Sequence, residues 1–404
     1  MTVASNPVTE TPDPLAPAQL GPVTLRNRVL KTATFEGYAP DALVTQDLID
    51  FHLAVGNGGV GMTTVAYLAV APEGRTERRQ IWWRPEALPG LRQLTDAVHA
   101  TGAKVSAQIG HAGPVSDSHS TKLKSIAASR CYTMTSMGTG LDRPATADDI
   151  DRIIAAHAQA ATWAVESGFD AVEVHLGHNY LASSFLSPRL NHRRDEFGGS
   201  IACRAEFPRR LLAAVRSAVG DRAAVLAKLN MEDGARRGLH PDESLAAARL
   251  FEADGNLDAL ELTGGSSLLN PMFLFKGDVP LAEFAKTQLP VVGVGLRVFG
   301  RGLFKHYPYA PLYFLDLARA FRAELHLPLV LIGGVTDHDG MTTAMAEGFE
   351  FVGMARALLM EPDLINRIAA DRATRARCTH CNRCVPTIYS GTRCPLLDEL
   401  EPVA

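Results

Sequence analysis

The sequence lacks the features that would place the chain in a membrane or on a nucleic acid. It contains no apolar run of about 18 residues, the length that spans a bilayer. Lys and Arg number 40 against 44 Asp and Glu, and this net charge of -4 indicates no basic surface for nucleic acid. The N-terminal segment is rich in Pro and Thr and contains no apolar signal core. We therefore expect a cytoplasmic protein with a small-molecule substrate and neither nucleic-acid nor membrane partners.

Cysteine is scarce, with six residues in 404, which excludes a secreted disulfide scaffold. Four of the six lie close together near the C-terminus: Cys378, Cys381, Cys384 and Cys394. In a reducing compartment, cysteines crowded in this way indicate metal binding. The sequence therefore predicts a metal site in the tail.

Short apolar runs alternate with amphipathic stretches of helical length along most of the chain. The runs that predict strands are 29–33, 61–66, 104–109, 171–175, 224–229, 259–263, 329–332 and 351–354. The stretches that predict helices are 45–55, 88–100, 147–165, 204–219, 242–253, 312–325, 339–346 and 362–370. Eight such βα units predict an α/β fold, a (β/α)8 TIM barrel.

The chain is longer than a minimal barrel, and the sequence divides it into three parts. We expect a frayed or disordered N-terminus over 1–20, the barrel over 21–376 and a short Cys-rich C-terminal extension over 377–404. A long aromatic loop, 266–309, follows the sixth strand. A loop on the catalytic face suits a substrate cap, and a structural or dimer role suits it equally.

Proton-handling side chains follow the fourth strand. His175, His178 and Tyr180 stand within six residues, and both histidine and tyrosine donate hydrogen bonds to a carbonyl oxygen. In TIM barrels the C-terminal ends of the strands carry the chemistry. A His-x-x-His pair also suits zinc, so a metal-dependent barrel hydrolase that adds His111 is an alternative. A second alternative is that these histidines have a purely structural role.

Other strand ends supply candidates for binding an anionic cofactor. Gly333 and Gly334 follow the seventh strand, and Ala355 and Arg356 follow the eighth. Backbone amides at these two positions of a barrel commonly bind phosphate, although a Gly-Gly pair is also a common tight turn. Lys228 on the fifth strand needs a partner, either the pyrimidine end of a flavin or a carboxylate such as Glu173.

Residues from about 20 to 371 resemble the Old Yellow Enzyme-type NADH:flavin oxidoreductases. The resemblance is carried by 108–113 (QIGHAG), by the run from Val172 to Gly199, and by 354–356 (MAR). It implies a TIM barrel that holds FMN at its C-terminal mouth. Cofactor contacts would come from Ala33, Thr34, Ala66, Gln108, Lys228, Gly333, Gly334, Ala355 and Arg356. Among these, Gly334, Ala355 and Arg356 match the residues that hold the phosphate.

The same resemblance implies a chemistry. NAD(P)H reduces FMN, and FMN passes a hydride to an activated alkene such as an α,β-unsaturated carbonyl compound. His175 and His178 match the pair that binds the substrate carbonyl, and Tyr180 matches the proton donor. A related dehydrogenation is included in this expectation, and the family also suggests a homo-oligomer. A non-catalytic flavin or metal redox sensor is another alternative.

The chain departs from the family pattern in two places. After the first strand, Ala33-Thr34-Phe35 stands where a Pro-Met-Thr or Pro-Met-Cys sequence is common, so either Thr34 or Phe35 takes the place of the residue that tunes the flavin. The cysteine tail resembles the iron–sulfur segment of the trimethylamine dehydrogenase and 2,4-dienoyl-CoA reductase branch. That resemblance implies a [4Fe-4S] cluster on Cys378, Cys381, Cys384 and Cys394, with zinc or free thiols in a C-terminal lid as alternatives.

Overall fold

The computed structural model describes residues 11–135, 138–287, 293–294, 300 and 304–400. Eight parallel strands form a closed barrel in which each strand pairs with the next along the chain and the last pairs with the first. The strands are β1 (Val29–Lys31), β2 (Met62–Ala69), β3 (Lys104–Gly110), β4 (Ala171–Leu176), β5 (Ala224–Asn230), β6 (Ala259–Thr263), β7 (Leu329–Ile332) and β8 (Phe351–Met354). The predicted TIM barrel is confirmed.

One helix follows each strand and covers the outside of the barrel. These helices are α1 (Gln46–Asn57), α2 (Leu88–His99), α3 (Ala147–Glu166), α4 (Glu206–Val219), α5 (Pro241–Ala253), α6 (Leu315–Glu324), α7 (His338–Ala346) and α8 (Leu364–Ala370). Their apolar faces are buried, as Leu91, Leu94 and Val98 of α2 show with no exposed surface. Among the described residues, no helix is long and apolar enough to cross a membrane.

Side-chain caps fix where several helices begin. Thr45 caps α1 by accepting a hydrogen bond from the amide of Leu48. Thr146 and Asp149 form a capping box at the start of α3, each side chain bonding to the other residue's backbone amide. These polar residues stand just before the apolar periodicity of each helix, which is why the sequence predicts these starts to within two residues.

The first part of the chain forms an antiparallel ribbon, Ala18–Leu20 with Val23–Leu25. It lies at the N-terminal end of the barrel, where Gly21 closely approaches Asp258 just before β6. The ribbon starts inside the segment predicted to be frayed. This segment is ordered because Leu20 and Leu25 are buried and because Asp13 forms an ion pair with Arg372. Residues 1–10 lie outside the described part of the chain.

Short elements lie in the loops. The helical ones are Pro72–Gly74, Pro85–Ala87, Gly113–Val115, Ser118–Thr121, Leu181–Leu186, Ile201–Arg204, Pro271–Leu274, Leu281–Thr287, Arg356–Met360, Val385–Tyr389 and Pro395–Leu400. After β3, the strands Ile126–Ala127, Cys131–Thr135 and Gly138–Pro144 form a small sheet that the sequence analysis did not predict. Within the predicted cap after β6, residues 288–292, 295–299 and 301–303, including Phe299, lie outside the described residues.

Candidate active site

His175, His178 and Tyr180 converge at the C-terminal end of β4. The His175 ring centroid lies 4.4 Å from that of Tyr180 and 5.0 Å from that of His178. The chain turns back sharply here because His178 and Asn179 adopt φ angles of 58° and 59°. This left-handed backbone is uncommon for residues other than glycine and is concentrated at functional sites.

Neighbouring strands hold the two histidines. Nε2 of His178 lies 3.1 Å from Oγ1 of Thr263 at the end of β6, and the backbone amide of His178 donates to Oδ1 of Asn230, 3.0 Å away, at the end of β5. Nδ1 of His175 is buried and has no hydrogen-bond partner among the described residues. Because a buried polar group without a partner is costly, this nitrogen is available to a ligand.

Both imidazoles are neutral at physiological pH. Burial and, to a smaller extent, the positive charge of Lys228 lower the pKa of His178 to about 3. Burial, the neighbouring His178 and Lys228 hold the pKa of His175 well below its usual value. A neutral imidazole carries one N–H, so each ring is suited to donate a single hydrogen bond to a substrate oxygen.

A patch of small and aromatic side chains lies beside Tyr180. Ala66, Tyr67 and Ala112 belong to a small buried cluster, and Tyr180 and Ala33, which follows β1, both pack against it. The pairing of β2 with β3 shifts register between Val65 and Leu68, and this bulge directs Tyr67 to 5.3 Å from Tyr180. The Tyr67 hydroxyl donates to the carbonyl of Gly74. Tyr67 was not predicted as a site residue, because the register of two strands cannot be read from either strand alone.

A polar layer lies just inside the barrel mouth. Lys228 on β5 is 3% exposed, and its Nζ lies 2.8 Å from Oε1 of Glu261 on β6 and 3.3 Å from Oε1 of Glu173 on β4. Nζ also donates to Oγ1 of Thr32, 2.9 Å away, and Gln108 donates from Nε2 to Glu173 at 2.6 Å. Glu173 is thus the carboxylate partner of Lys228 that the sequence left open, and Glu261 is a second partner that the sequence analysis missed.

This layer contains two carboxylates and one ammonium, and their burial and mutual interaction shift the pKa values of Glu173 and Lys228. Burial raises the pKa of Glu173 to about 7, while Lys228 opposes the rise and Glu261 adds to it. The two carboxylates outweigh burial at Lys228 and raise the pKa of its ammonium, which therefore keeps its charge. Gln108 and Lys228 together place an amide and a fixed positive charge just inside the mouth.

The predicted phosphate residues lie together at the ends of β7 and β8. Gly333 and Gly334 have φ angles of 96° and 87°, and a Cβ on Gly334 would lie 2.8 Å from the carbonyl oxygen of Ala310. Only glycine fits this close approach. Arg356 donates from Nη1 to the carbonyl of Lys276, 3.0 Å away, and to Oδ1 of Asn382, 2.5 Å away. The guanidinium has further N–H groups with which to bind a phosphate.

The cysteine tail packs on two loops of the barrel mouth. Asn382 donates to the carbonyls of Phe275 and Asp278 in the loop after β6, and His380 stacks on Tyr309 with ring centroids 3.4 Å apart. Further along, the amide of Thr392 donates to the carbonyl of Glu36 at 2.7 Å, in the loop after β1. The tail is therefore a part of the mouth and not a separate unit.

The four predicted metal-ligating cysteines line one cavity, together with Arg356 and Met360. Burial raises the pKa of Cys384 to about 12 and also raises that of Cys378. As the side chains stand in the described part of the chain, no group of three or more His, Cys, Asp or Glu is arranged to hold a metal ion. The shared cavity agrees with a common ligand, and the thiols would have to lose their protons and reorient to bind it.

His111 does not join the two histidines of β4. Its Nδ1 accepts a hydrogen bond from the amide of Gly113 at 3.0 Å, and its Nε2 faces Glu73 at 3.9 Å. A side chain on Gly74 would meet the His111 ring, which shows that this ring packs under the loop after β2. The three-histidine site of the hydrolase alternative is therefore not formed.

Comparisons with known proteins identify relatives of the chain. The chain is 53% identical over 390 residues to 4,4'-dithiodibutanoate disulfide reductase of Rhodococcus erythropolis, with 96% of each chain covered. It is 29% identical to a metal reductase of Desulforamulus reducens, a match that covers 93% of this chain and 51% of that protein. The chain thus spans about half the length of this second relative.

A solved structure of 2-naphthoyl-CoA reductase with 2-naphthoyl-CoA superposes with a TM-score of 0.81 at 23% identity, covering 96% of this chain and 58% of that one. That likeness shows the fold. The family model described as "NADH:flavin oxidoreductase / NADH oxidase family" matches residues 15–260, which include β1 to β5, the three converging side chains and Lys228. The chain belongs to the NADH:flavin oxidoreductase / NADH oxidase family.

Proposed function

We propose that this enzyme reduces activated alkenes, with Tyr180 as the proton donor and His175 and His178 as the groups that bind the substrate carbonyl. The observation that carries the proposal is the convergence of these three side chains, with ring centroids 4.4 and 5.0 Å apart. As a member of its family, the enzyme binds FMN and takes electrons from NAD(P)H. When bound, FMN supplies the hydride that the amino-acid side chains cannot.

The protein residues would act on the substrate in two ways. The N–H groups of the neutral His175 and His178 would bind the carbonyl oxygen, on which negative charge develops when the β-carbon accepts a hydride. The Tyr180 hydroxyl would then donate its proton to the α-carbon. Gln108 and Lys228 would orient the flavin pyrimidine, Ala33, Thr34 and Ala66 would contact the ring, and Gly333, Gly334, Ala355 and Arg356 would bind the phosphate.

An organic disulfide is the second candidate substrate, because the relative that is 53% identical is named as the reductase of a disulfide with two carboxylates. Reduction of one disulfide by a hydride and one proton gives two thiols. Anaerobic stopped-flow experiments separate the candidates: the enzyme is first reduced with NAD(P)H and then mixed with 2-cyclohexenone or with 4,4'-dithiodibutanoate. Rapid return of the flavin absorbance identifies the acceptor, and failure with both acceptors contradicts the proposal.

Lys276, in the loop after β6, offers a positive charge for a substrate carboxylate. Its Nζ lies 5.2 Å from the ring centroids of Phe273 and Tyr313 and donates to the Tyr313 carbonyl at 3.2 Å. Burial lowers the pKa of this ammonium, and the negative charges of Glu232 and Asp316 partly oppose that change. The rings of Phe273 and Phe314 also border Gly264, which directly follows the His178 partner Thr263.

Replacing Lys276 by methionine is therefore expected to raise the KM for 4,4'-dithiodibutanoate about tenfold, which corresponds to about 1.4 kcal/mol. The KM for the uncharged 2-cyclohexenone and the affinity for FMN should change less than twofold. Steady-state kinetics and flavin titration check both. An equal rise in KM for both acceptors, or weaker FMN binding without a change in either KM, would show that Lys276 does not bind the substrate carboxylate.

We further propose that Cys378, Cys381, Cys384 and Cys394 hold a [4Fe-4S] cluster, a hypothesis supported by the cavity that all four line. Anaerobically purified protein is expected to contain about four iron and four sulfide ions per chain. Changing Cys381 to serine should remove most of both. Zinc without sulfide, or a metal-free protein with full activity, would contradict the cluster.

A further inference from the structure

The polar layer of the mouth, Glu173, Lys228, Glu261, Gln108 and Thr32, has a charge pattern that flavin binding alone does not require. One ammonium faces two carboxylates, at 2.8 and 3.3 Å, and all three groups are at least 97% buried. Buried charges are expensive unless they are compensated, and this layer has one carboxylate more than its single ammonium neutralises. Glu173 is also the partner of Gln108, so it contacts both side chains that would meet the flavin pyrimidine.

We propose that Glu173 and Glu261 set the reduction potential of the bound FMN through Lys228 and Gln108, and that Glu173 binds a proton when the flavin is reduced. Both glutamates are positioning residues, because they act through the two side chains that contact the cofactor. The proposal rests on the family's flavin and not on the identity of the acceptor that the enzyme reduces.

The two glutamates and the reduced flavin would interact through their charges at close range. Reduced flavin carries negative charge at its pyrimidine end, which Lys228 would contact. Two unit charges a few ångströms apart interact by several kcal/mol at the effective dielectric of a protein interior. Each ionised glutamate behind Lys228 offsets part of the stabilisation that the ammonium gives to the reduced flavin. Conversely, the charge of the reduced flavin raises the proton affinity of the nearest carboxylate.

Glu173 is the carboxylate suited to bind that proton. Its pKa, raised to about 7 chiefly by burial, places it close to the point where half of the molecules are protonated at neutral pH. The other charged or titratable groups facing the layer are His175, His178 and Lys31. Burial lowers the pKa of each, to about 3 for His178 and about 8 for Lys31, which lies 3.9 Å from Glu36.

Reduction of the flavin at neutral pH takes up two electrons and two protons. NAD(P)H supplies two electrons and one proton as a hydride, and the additional proton comes from solvent and resides on the Glu173 carboxylate. For a two-electron couple, uptake of one proton lowers the potential by ~30 mV per pH unit, and uptake of two lowers it by ~60 mV. The potential of the wild-type flavin is therefore expected to fall by ~60 mV per pH unit just above pH 7 and by ~30 mV at higher pH.

The experiment measures the FMN potential of the holoenzyme against reference dyes from pH 6 to 9, without any substrate. In E173Q the slope should stay at ~30 mV per pH unit throughout. E261Q should raise the reduction potential by at least ~30 mV, which corresponds to a tenfold change in the equilibrium constant for flavin reduction. E261D should restore the wild-type potential. The matched control is E350Q, which changes a carboxylate that pairs with Arg322 just before β8, at the opposite end of the barrel.

Infrared difference spectra of the wild-type enzyme provide a test that needs no variant. Reduction at pH 7.5 should produce the band of a protonated carboxyl group. A slope of ~30 mV per pH unit from pH 6 to 9, with no carboxyl band on reduction, overturns the proposal even where the variants lose FMN. A protein that binds no FMN would contradict the proposed function instead, so the two failures are distinguishable.

Discussion

Replacing Tyr180 by phenylalanine is expected to slow the reduction of 2-cyclohexenone by about 10²- to 10⁴-fold, the usual contribution of a positioned general acid. The substitution keeps the ring that packs 4.4 Å from His175 and removes only the hydroxyl group. Reduction of the flavin by NAD(P)H needs no proton from Tyr180 and should stay within twofold of wild type. Stopped-flow measurement of the two half-reactions separates these effects.

The disulfide substrate and a control variant, Y38F, show whether the effect of Y180F comes from the lost proton. A thiolate leaves a disulfide without needing a strong acid, so Y180F should slow 4,4'-dithiodibutanoate reduction far less than alkene reduction. Tyr38 serves as the matched control, since its hydroxyl donates to the carbonyl of Thr392 at 3.3 Å in the tail, and Y38F should leave both rates unchanged. An alkene rate in Y180F equal to that of wild type would remove Tyr180 from the mechanism.

Replacing Lys228 by methionine is expected to lower the free energy of unfolding by about 3–5 kcal/mol. The substitution leaves Glu173 and Glu261 buried without the ammonium that contacts both, at 3.3 and 2.8 Å. The cost arises from the uncompensated carboxylates and not from the lost ion pairs themselves. Denaturant unfolding of wild type and variant, followed by circular dichroism, measures the difference.

The double variant K228M/E261Q should recover part of that loss, because it removes one of the two uncompensated charges. The matched control is Lys104 at the start of β3, a half-buried lysine whose Nζ lies 2.9 Å from Oδ1 of Asp170. K104M should cost less than about 1 kcal/mol, as is usual for a surface ion pair. If K228M unfolds at the same denaturant concentration as wild type, the layer does not depend on this ammonium.

The barrel was predictable because parallel strands that are covered on both faces consist of nearly uninterrupted apolar residues. The predicted bounds of β6, β7 and β8 coincide with those in the structure. The strands Cys131–Thr135 and Gly138–Pro144 after β3 were not predicted, because a hairpin beside the barrel has only a weak apolar pattern in a single sequence. Glycine-rich and polar residues in this segment resemble an ordinary loop.

The site was predictable where one segment carries it, as for His175, His178 and Tyr180 after β4. It was not predictable where it depends on pairing between strands. Glu261 meets Lys228 only because β5 and β6 pair with these two residues side by side. Tyr67 reaches Tyr180 only through the register shift in β2. The role of Thr34 or Phe35 beside the flavin stays a prediction, as do the homo-oligomer and the cytoplasmic location.

The central claim is that the mouth of this barrel binds FMN so that NAD(P)H can reduce it. The most direct measurement is an anaerobic titration of the purified, FMN-reconstituted protein with NADH and NADPH, followed by visible absorbance. We predict one tightly bound flavin per chain whose absorbance is bleached by one equivalent of at least one of the two nucleotides. A protein that retains no flavin after gel filtration, or a bound flavin that neither nucleotide bleaches, would contradict the claim.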